Sequence, residues 1–276
     1  MLTDTKRSNL EETIVMPEVR TLFYERTLEK WLPNKDSSIL VVGGGERDKD
    51  VLIKLGFTTV TISNLDSRLT GDEFSPYRWS FQRAEQLSFS DGEFDFVIVH
   101  EALHHCKSPH AALLEMYRVA KIGSIAFESR DSSLMRILES TGLTQSYEHF
   151  AVYYNDCKYG GVDNTEVPNH IYRWTEREIE KTVKSFAPFA YHKFEYTYAS
   201  DIPFLSTVER KAAFKKIFIS SMVPFYKIFS KIFPKQQNLF AFFVGKPSIP
   251  EDIHPWLTLR DGDMKFNSDW AKSVYK

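Results

Sequence analysis

The stretch Ser38-Ile-Leu-Val-Val-Gly-Gly-Gly45 decides the fold. Its first half is a short apolar run, which is typical of a strand buried on both faces of a parallel sheet. Its second half is three glycines, which permit a tight turn and a close approach of the backbone to a ligand. A helix after such a turn offers free N–H groups to that ligand. The pattern therefore predicts the first strand of an α/β domain.

Helical and strand patterns alternate on both sides of this stretch. Upstream, apolar residues at helical spacing predict a helix from Pro17 to Pro33. Downstream, the pattern predicts a helix and three strands, namely Asp48 to Leu55, Thr58 to Ile62, Phe94 to Val99 and Ser124 to Phe127. Between the last two strands, Ser108-Pro109 is an N-cap followed by a first-turn proline, and Gly123 is expected to end the helix that they begin.

The second half of the chain continues with a capping-box pattern, Thr175-x-x-Glu178, and with two apolar strands at about 192–198 and 239–244. Together these elements predict an α/β fold with a doubly wound, mostly parallel sheet. We expect one domain over 1–246, with an irregular lid insertion at about 129–173 and a helical cap at about 205–236. A C-terminal tail would follow over 247–276.

Bulk composition excludes several classes of protein. The net charge of −2 over 276 residues argues against a nucleic-acid-binding protein. Two distant cysteines, Cys106 and Cys157, suit a reducing compartment and are not spaced as metal ligands. The first residues carry no apolar run typical of a secretory signal, and no stretch is long enough to span a membrane. We therefore expect a cytoplasmic protein.

A run of motifs around residue 90 is more specific than the glycines. In order, these motifs are Ala84-Glu-Gln-Leu-Ser-Phe89, Asp91-Gly-Glu-Phe-Asp-Phe-Val97, Glu101-Ala-Leu-His-His105 and Leu114-Glu-Met-Tyr-Arg-Val119. Over roughly residues 40–128 the chain resembles the class I S-adenosylmethionine (SAM)-dependent methyltransferases, in particular the small-molecule enzymes of ubiquinone and menaquinone biosynthesis. The resemblance implies a seven-stranded sheet that ends in an antiparallel hairpin, SAM as cofactor and a small-molecule methyl acceptor.

The resemblance also implies a cofactor site at the carboxyl ends of the strands. Its expected members are Gly43, Gly44, Gly45, Glu46, Asn64, Leu65, Asp66, Ala84, Glu85, His100 and Glu101. The chain departs from the family's pattern at three positions. Val41 stands where an acid is frequent, Arg47 where a third glycine is usual, and Arg83 where an aspartate usually meets the adenine amino group.

His104 and His105 are the candidate catalytic bases, because imidazole titrates near neutral pH. A packing role for one of them is the alternative. We expect no metal site, since no third ligand with suitable spacing lies nearby in the sequence. Tyrosines and asparagines in the lid suit a saccharide, so we expect O-methylation of a small or lipid-linked hydroxyl acceptor. The alternatives are a C- or N-methyltransferase of secondary metabolism and a degenerate, non-catalytic methyltransferase-fold module.

The stretch 210–235 combines seven cations with aromatic residues and contains no acid. We expect a substrate cap there, broken into two helices at Pro224. Contact with an anionic membrane surface and an oligomer interface are the alternatives.

Overall fold

The computed structural model describes residues 18–201 and 213–275. The helices are α1 (Glu18–Trp31), α2 (Glu46–Lys54), α3 (Pro109–Val119), α4 (Ser133–Ser140), α5 (His149–Tyr154), α6 (Glu176–Phe186), α7 (Ala213–Ile232) and α8 (Ser268–Val274). The strands are β1 (Ile39–Val42), β2 (Val60–Asn64), β3 (Arg78–Phe81), β4 (Phe94–His100), β5 (Ala120–Ser129), β6 (Lys193–Ala199), β7 (Leu239–Gly245), β8 (Leu257–Arg260) and β9 (Asp263–Phe266). Short 3₁₀ turns lie at Asp72–Phe74, Leu103–His105, Val162–Asn164 and Pro234–Gln236.

The described residues form a seven-stranded sheet in the order β3-β2-β1-β4-β5-β7-β6. The first five strands of that order are parallel, and β7 runs antiparallel to both β5 and β6. This is the mostly parallel, seven-stranded arrangement of the methyltransferase fold, so the predicted fold class is confirmed. β8 and β9 form a separate hairpin in the tail.

Strand β1 is buried on both faces, as its apolar run predicts. Its four side chains are at most 2% exposed. Leu40 and Val42 pack into the core on one face of the sheet, while Ile39 and Val41 pack into the core on the other. This division follows from the alternation of side chains along a strand. The helices on each side therefore bury both faces and leave the carboxyl edge of the strands for a ligand.

The sequence predicted where three helices begin, and the structure can be compared with each prediction. Residue 17 lies outside the described residues, but α1 follows it directly from Glu18. Ser108 caps α3 by accepting from the Ala111 N–H, as expected. The capping box at Thr175 is only half formed. Thr175 accepts from the Glu178 N–H, but the Glu178 carboxylate is turned to the hydroxyl of Tyr172 and to the imidazole of His110.

Gly123 does not end a helix, contrary to the prediction. Helix α3 ends at Val119, and β5 begins at Ala120 because its backbone pairs with both β4 and β7. Gly123 lies inside this strand under Phe243, whose ring would stand 2.5 Å from a Cβ at that position. The glycine is therefore needed for close packing between strands and not for a helix end.

Two further expectations were wrong. The lid, residues 129–173, is not wholly irregular, since it contains α4 and α5, and Ser132 caps α4 by accepting from the Met135 N–H. Helix α7 is continuous through Pro224. Pro224 is exposed, so water can satisfy the carbonyl that loses its intrahelical partner.

The C-terminal tail packs through aromatic side chains. The Trp256 ring stacks on His254 at 4.2 Å between centroids and lies 5.8 Å from the Trp270 ring. Residues 205–212 of the predicted cap lie outside the described residues, and α7 and the turn at Pro234 occupy the remainder. Across the described chain, no helix is both long and apolar enough to cross a membrane.

Candidate active site

A cavity of about 300 Å³ opens at the carboxyl edge of β1, β2 and β4. Ligand-binding pockets in proteins typically have volumes of about 300–1,000 Å³. Its lining includes seven of the residues expected at the cofactor site, namely Gly43, Asn64, Leu65, Asp66, Ala84, Glu85 and Glu101, together with His105. We call this space the cofactor cavity. Gly44, Gly45, Glu46, His100 and His104 are not among the residues that line it.

The three glycines of the turn differ in how much space a side chain would have. Gly43 has φ +65°, and a Cβ there would stand 2.6 Å from the Ala102 Cβ. At Gly44, a Cβ would lie 2.7 Å from a Val41 methyl group. At Gly45 no atom lies within 4 Å of the same position, so this residue faces open space. The turn is thus glycine-dependent at its first two positions and open at its third, as backbone approach to a ligand requires.

Asn64 ties the end of β2 to the glycine turn. Its amide nitrogen donates to the Gly44 carbonyl at 2.9 Å, and its amide oxygen accepts from the Asp66 N–H at 2.9 Å. Asp66 itself is held by Arg68, whose hydrogen bond is the main cause that lowers the pKa of this carboxyl. Asp66 therefore presents a charged carboxylate in the cavity wall, and Asn64 positions the loop that carries it.

Arg83, which stands where the resemblance expects an aspartate, pairs with an acid of the lid. Its guanidinium donates to Asp163 Oδ1 at 2.7 Å, and Lys107 Nζ lies 2.7 Å from Asp163 Oδ2. Asp163 belongs to the lid, lines the cavity and has φ +53°. Burial would raise the pKa of Asp163, but the hydrogen bonds from Lys107 and Arg83 lower it. A charged carboxylate from the lid therefore lies in the cavity wall beside Arg83.

Glu101, directly after β4, is held by two arginines. Arg20 of α1 donates to Glu101 Oε1, and Arg47 of α2 lies 3.4 Å from Oε2. Burial would raise the pKa of Glu101, but the charge of Arg20 and then those of neighbouring cations lower it. Arg20 also pairs with the buried Asp201 at 2.6 Å. The sequence gives no sign of Arg20, because α1 precedes every motif of the site.

His100 lies beneath the site and not in it. Its ring stacks on Tyr24 at 4.3 Å between centroids, and its Nδ1 is 3.7 Å from Asp48. Burial is the main cause that lowers its pKa, so the ring is neutral. Tyr24 donates to the same Asp48 at 2.9 Å, and Asp48 accepts from the Gly45 N–H at 2.8 Å. His100 therefore supports the glycine turn from below.

His104 is a buried cation held between two carboxylates. Its Nδ1 lies 2.6 Å from Glu128 Oε2, and its Nε2 lies 3.3 Å from Glu148 Oε2. Burial alone would lower the pKa, but the charge and hydrogen bond of Glu128 raise it to about 10. An imidazolium with both nitrogens engaged cannot accept a proton at neutral pH. His104 therefore suits a positioning role, and the prediction that it is a base is left with little support.

His105 differs from His104 both in its position at the cavity and in the direction in which its pKa is shifted. It lines the cofactor cavity, and burial, followed by the charge of His104, lowers its pKa. Its ring is therefore neutral at pH 7 and keeps a lone pair on one nitrogen, while the Gly161 backbone also bonds the ring. Its Nε2 lies 3.3 Å from Glu148 Oε2, so the lid also orients this ring.

The structure corrects the expectation that no third metal ligand lies near His104 and His105. Ligand atoms of His104, His105 and Glu148 lie within 4.8 Å of one another among the described residues, so a third group is close, brought by the lid. The spacing in sequence could not reveal it, since Glu148 is more than 40 positions away. A protonated His104 between Glu128 and Glu148 accounts for the contacts of that ring, and a His105 N–H facing Glu148 accounts for the third.

The site fits SAM in its chemistry. A glycine turn open at Gly45, the charged carboxylates of Asp66 and Asp163 in the cavity wall, and the arginine-held Glu101 match the hydroxyls and ammonium group of that cofactor. Residues 55–127 match the family model Methyltransf_11, described as a methyltransferase domain. This segment is therefore similar to a methyltransferase domain, the sheet around it has the strand order of the class I methyltransferase fold, and SAM is the cofactor that such a domain uses. The finer resemblance to ubiquinone- and menaquinone-biosynthesis enzymes stays a prediction.

Solved structures with a similar fold are numerous. A SAM-dependent methyltransferase of Methanosarcina mazei is 16% identical, with 80% of this chain and 96% of that chain covered and a TM-score of 0.47. The magnesium protoporphyrin IX methyltransferase of Synechocystis PCC 6803, solved with bound S-adenosylhomocysteine (SAH), is 13% identical over 81% of this chain and 84% of its own, with a TM-score of 0.46. A SAM-dependent methyltransferase of Thermotoga maritima is 15% identical over 86% and 94%, with a TM-score of 0.46. No curated protein matches the sequence.

Proposed function

We propose that the protein transfers the methyl group of SAM to a hydroxyl oxygen of a small saccharide-like acceptor, with His105 as the general base. The observation that carries the proposal is the contrast between the two adjacent histidines. His104 is locked as a cation outside the cavity, whereas His105 is neutral and lines it. A neutral imidazole at a cofactor cavity is what a protonated nucleophile requires.

In the proposed reaction His105 and Glu148 have separate roles. Bound SAM supplies an electrophilic methyl group on a positively charged sulfur. His105 accepts the hydroxyl proton as the acceptor oxygen forms its bond to the methyl carbon, while the carbon–sulfur bond breaks and SAH is left. Glu148 holds the imidazole of His105 in place and balances the charge that the ring acquires. Such a base contributes on the order of 10²–10⁴-fold in rate.

The lid supports a saccharide as the acceptor class. Tyr153 and Tyr154 of α5 are 64% and 48% exposed, and Asn155 directly after them lines the cofactor cavity. Aromatic rings stack on the apolar faces of sugars, and amides bond their hydroxyls. The same lid segment carries Glu148 and Asp163, so an acceptor bound there would lie beside the proposed base.

Two measurements, made one after the other, test the proposal. Isothermal titration calorimetry with SAH is expected to give a single site on the purified chain. Incubation with methyl-labelled SAM and a panel of monosaccharides, nucleotide sugars, catechols and amines, followed by mass spectrometry, is then expected to label a saccharide hydroxyl. Labelling of an amine or a carbon would overturn the O-methylation. Binding of SAH without turnover on any acceptor, in a preparation unaffected by EDTA, would favour a non-catalytic module.

A further inference from the structure

Helix α7 carries a row of apolar side chains that face outward. Phe225, Ile228, Phe229 and Ile232 are 67%, 61%, 38% and 65% exposed. Their spacing of i, i+3, i+4 and i+7 places them along one side of the helix. We call these four residues the apolar row. A soluble protein seldom leaves a contiguous set of large apolar side chains in water without a partner.

The opposite side of α7 holds the helix to the domain, so the outward direction of the row is fixed. Ser230 is buried, and its carbonyl accepts from Gln237 Nε2 at 3.1 Å. The hydroxyl of Tyr226 donates to Ser200 Oγ at 3.2 Å. Just beyond the helix, the carbonyl of Lys235 accepts from the buried guanidinium of Arg130. Turning the apolar row inward would break the bond between Tyr226 and Ser200 and would expose the buried Ser230.

The charge on this part of the chain has one sign. Lys227 and Lys231, four residues apart, are exposed beside the row. From 213 to 238 the sequence contains five lysines and no aspartate or glutamate. A surface that combines large apolar side chains with lysines and lacks acids is complementary to an anionic lipid bilayer. It is less suited to a second copy of itself, because two such faces would bring like charges together.

The alternative of a substrate cap does not account for the row. None of the α7 side chains that the structure describes lines the cofactor cavity. The helix joins β6 to β7, and these strands meet at the pair Ala199–Leu239, with Ser129 of β5 opposite Leu239. That is the carboxyl edge of the sheet, where the cavity also opens. The row is therefore on the cofactor side of the domain without being part of the site.

We propose that α7 lies flat on an anionic phospholipid surface, with Phe225, Ile228, Phe229 and Ile232 inserted among the acyl chains and Lys227 and Lys231 at the headgroups. The helix is an interfacial element, since none of the described helices can span a bilayer. This inference stands independently of the methyl acceptor, because it concerns a surface and not the cavity.

Co-sedimentation of the full chain with vesicles tests the proposal. The protein is expected to bind vesicles of phosphatidylcholine with about one third phosphatidylglycerol, and to bind phosphatidylcholine alone much more weakly. Each lysine near such a surface is worth about fivefold in affinity. K227Q/K231Q is therefore expected to bind anionic vesicles on the order of tenfold to thirtyfold more weakly, and high salt is expected to have the same effect. I228N/I232N is expected to abolish binding to both kinds of vesicle.

Matched controls separate this surface from general charge and apolarity. K265Q/K272Q removes the same number of exposed cations from the tail, and I53N/V274N removes two exposed apolar side chains elsewhere. Both controls are expected to bind like the wild type. The proposal is overturned if the wild type does not sediment with anionic vesicles, or if the controls lose as much binding as the α7 variants. It is equally overturned if sedimentation velocity without lipid shows a dimer that I228N/I232N converts to monomer.

Discussion

His105 and Glu148 are separated by 3.3 Å between Nε2 and Oε2, although one follows β4 and the other begins the lid helix α5. The same carboxylate oxygen lies 3.3 Å from His104 Nε2, and the buried Asn169 donates to it at 3.2 Å. Burial would raise the pKa of Glu148, but the hydrogen bond and charge of His104 hold it at about 2. The lid is therefore attached to the sheet edge by a charged group at the position where the methyl acceptor would react.

Replacement of His105 by alanine is expected to separate catalysis from cofactor binding. His105→Ala is expected to lower kcat by on the order of 10²–10⁴-fold with SAH affinity unchanged, because the base is lost and the cofactor contacts remain. Since burial and the charge of His104 lower the pKa of His105, wild-type kcat/KM should rise with pH and reach half of its plateau value below about pH 6.5. Steady-state kinetics over pH 5–9 measure both.

His110→Ala is the matched control for this experiment, because His110 lies on α3 with Glu178 as its partner and is not among the cavity residues. It should leave kcat within about twofold. Full turnover in His105→Ala would exclude the base, and turnover abolished by EDTA and restored by a divalent cation would assign His104, His105 and Glu148 to a metal instead.

The ion pair between His104 and Glu128 is expected to make stability depend on pH in the alkaline range. The folded-state pKa of His104, about 10, is above its unfolded value of about 6.5. Its contribution is therefore complete below about pH 6.5 and is lost as the pH rises through about 10. Thermal unfolding of wild type and His104→Gln from pH 6 to 10.5 should show a decline in Tm that the variant lacks.

Glu128→Gln tests the same pair from the other side. It leaves a buried imidazolium without its main counter-charge, and breaking such a pair costs about 3–5 kcal/mol in the free energy of unfolding. The exposed Glu166→Gln, which removes one charge from the lid surface, should change that free energy by less than about 0.5 kcal/mol. Equal denaturant midpoints for wild type and Glu128→Gln would contradict the ion pair.

Asp163 is expected to govern closure of the lid over the cofactor cavity. Asp163→Asn removes the charge that Arg83 and Lys107 share, so the lid should open more often and the KM for SAM should rise about tenfold. Limited proteolysis should show faster cleavage between 155 and 165 in this variant, and added SAH should slow it. Cleavage at the wild-type rate with an unchanged KM would show that this carboxylate does not hold the lid.

Most of the sheet was predictable because its strands have apolar or alternating sequence patterns, but the edge strand β3, whose residues are exposed or only partly buried, was not predicted. The apolar run before Gly43 and the run at 94–99 are buried strands in the structure, and Ser108-Pro109 begins a helix as expected. The errors arose where tertiary contacts override local signals. In the sequence Gly123 is typical of a helix end, but in the structure it packs under Phe243. Pro224 is typical of a break in a helix, but α7 tolerates it at an exposed position.

The site was predictable where it follows the ends of strands, and not where the lid closes on it. Gly43, Asn64, Glu101 and His105 line the cavity because parallel strands end at one edge. Glu148, Asp163 and Arg20 come from segments with no motif and reach the site only through folding. The difference between His104 and His105 was also beyond the sequence, because it depends on which ring is buried against Glu128.

The glycine turn gives the sharpest test of the cofactor site, because its members differ in the space around them. Gly43→Ala is expected to destabilise the fold, since φ +65° strains any other residue and the new methyl group would meet Ala102 at 2.6 Å. Gly45→Val, by contrast, has no neighbour within 4 Å to collide with, so the chain should remain folded with a Tm close to that of the wild type. If SAM occupies the open space beside this turn, the branched side chain should nevertheless abolish SAH binding in calorimetry. Gly56→Ala, at a helix end away from the cavity, should show the opposite pattern: φ +82° strains alanine and lowers the Tm, while SAH affinity is unchanged. Undiminished SAH affinity in a folded Gly45→Val would mean that the cofactor does not approach the chain at this turn.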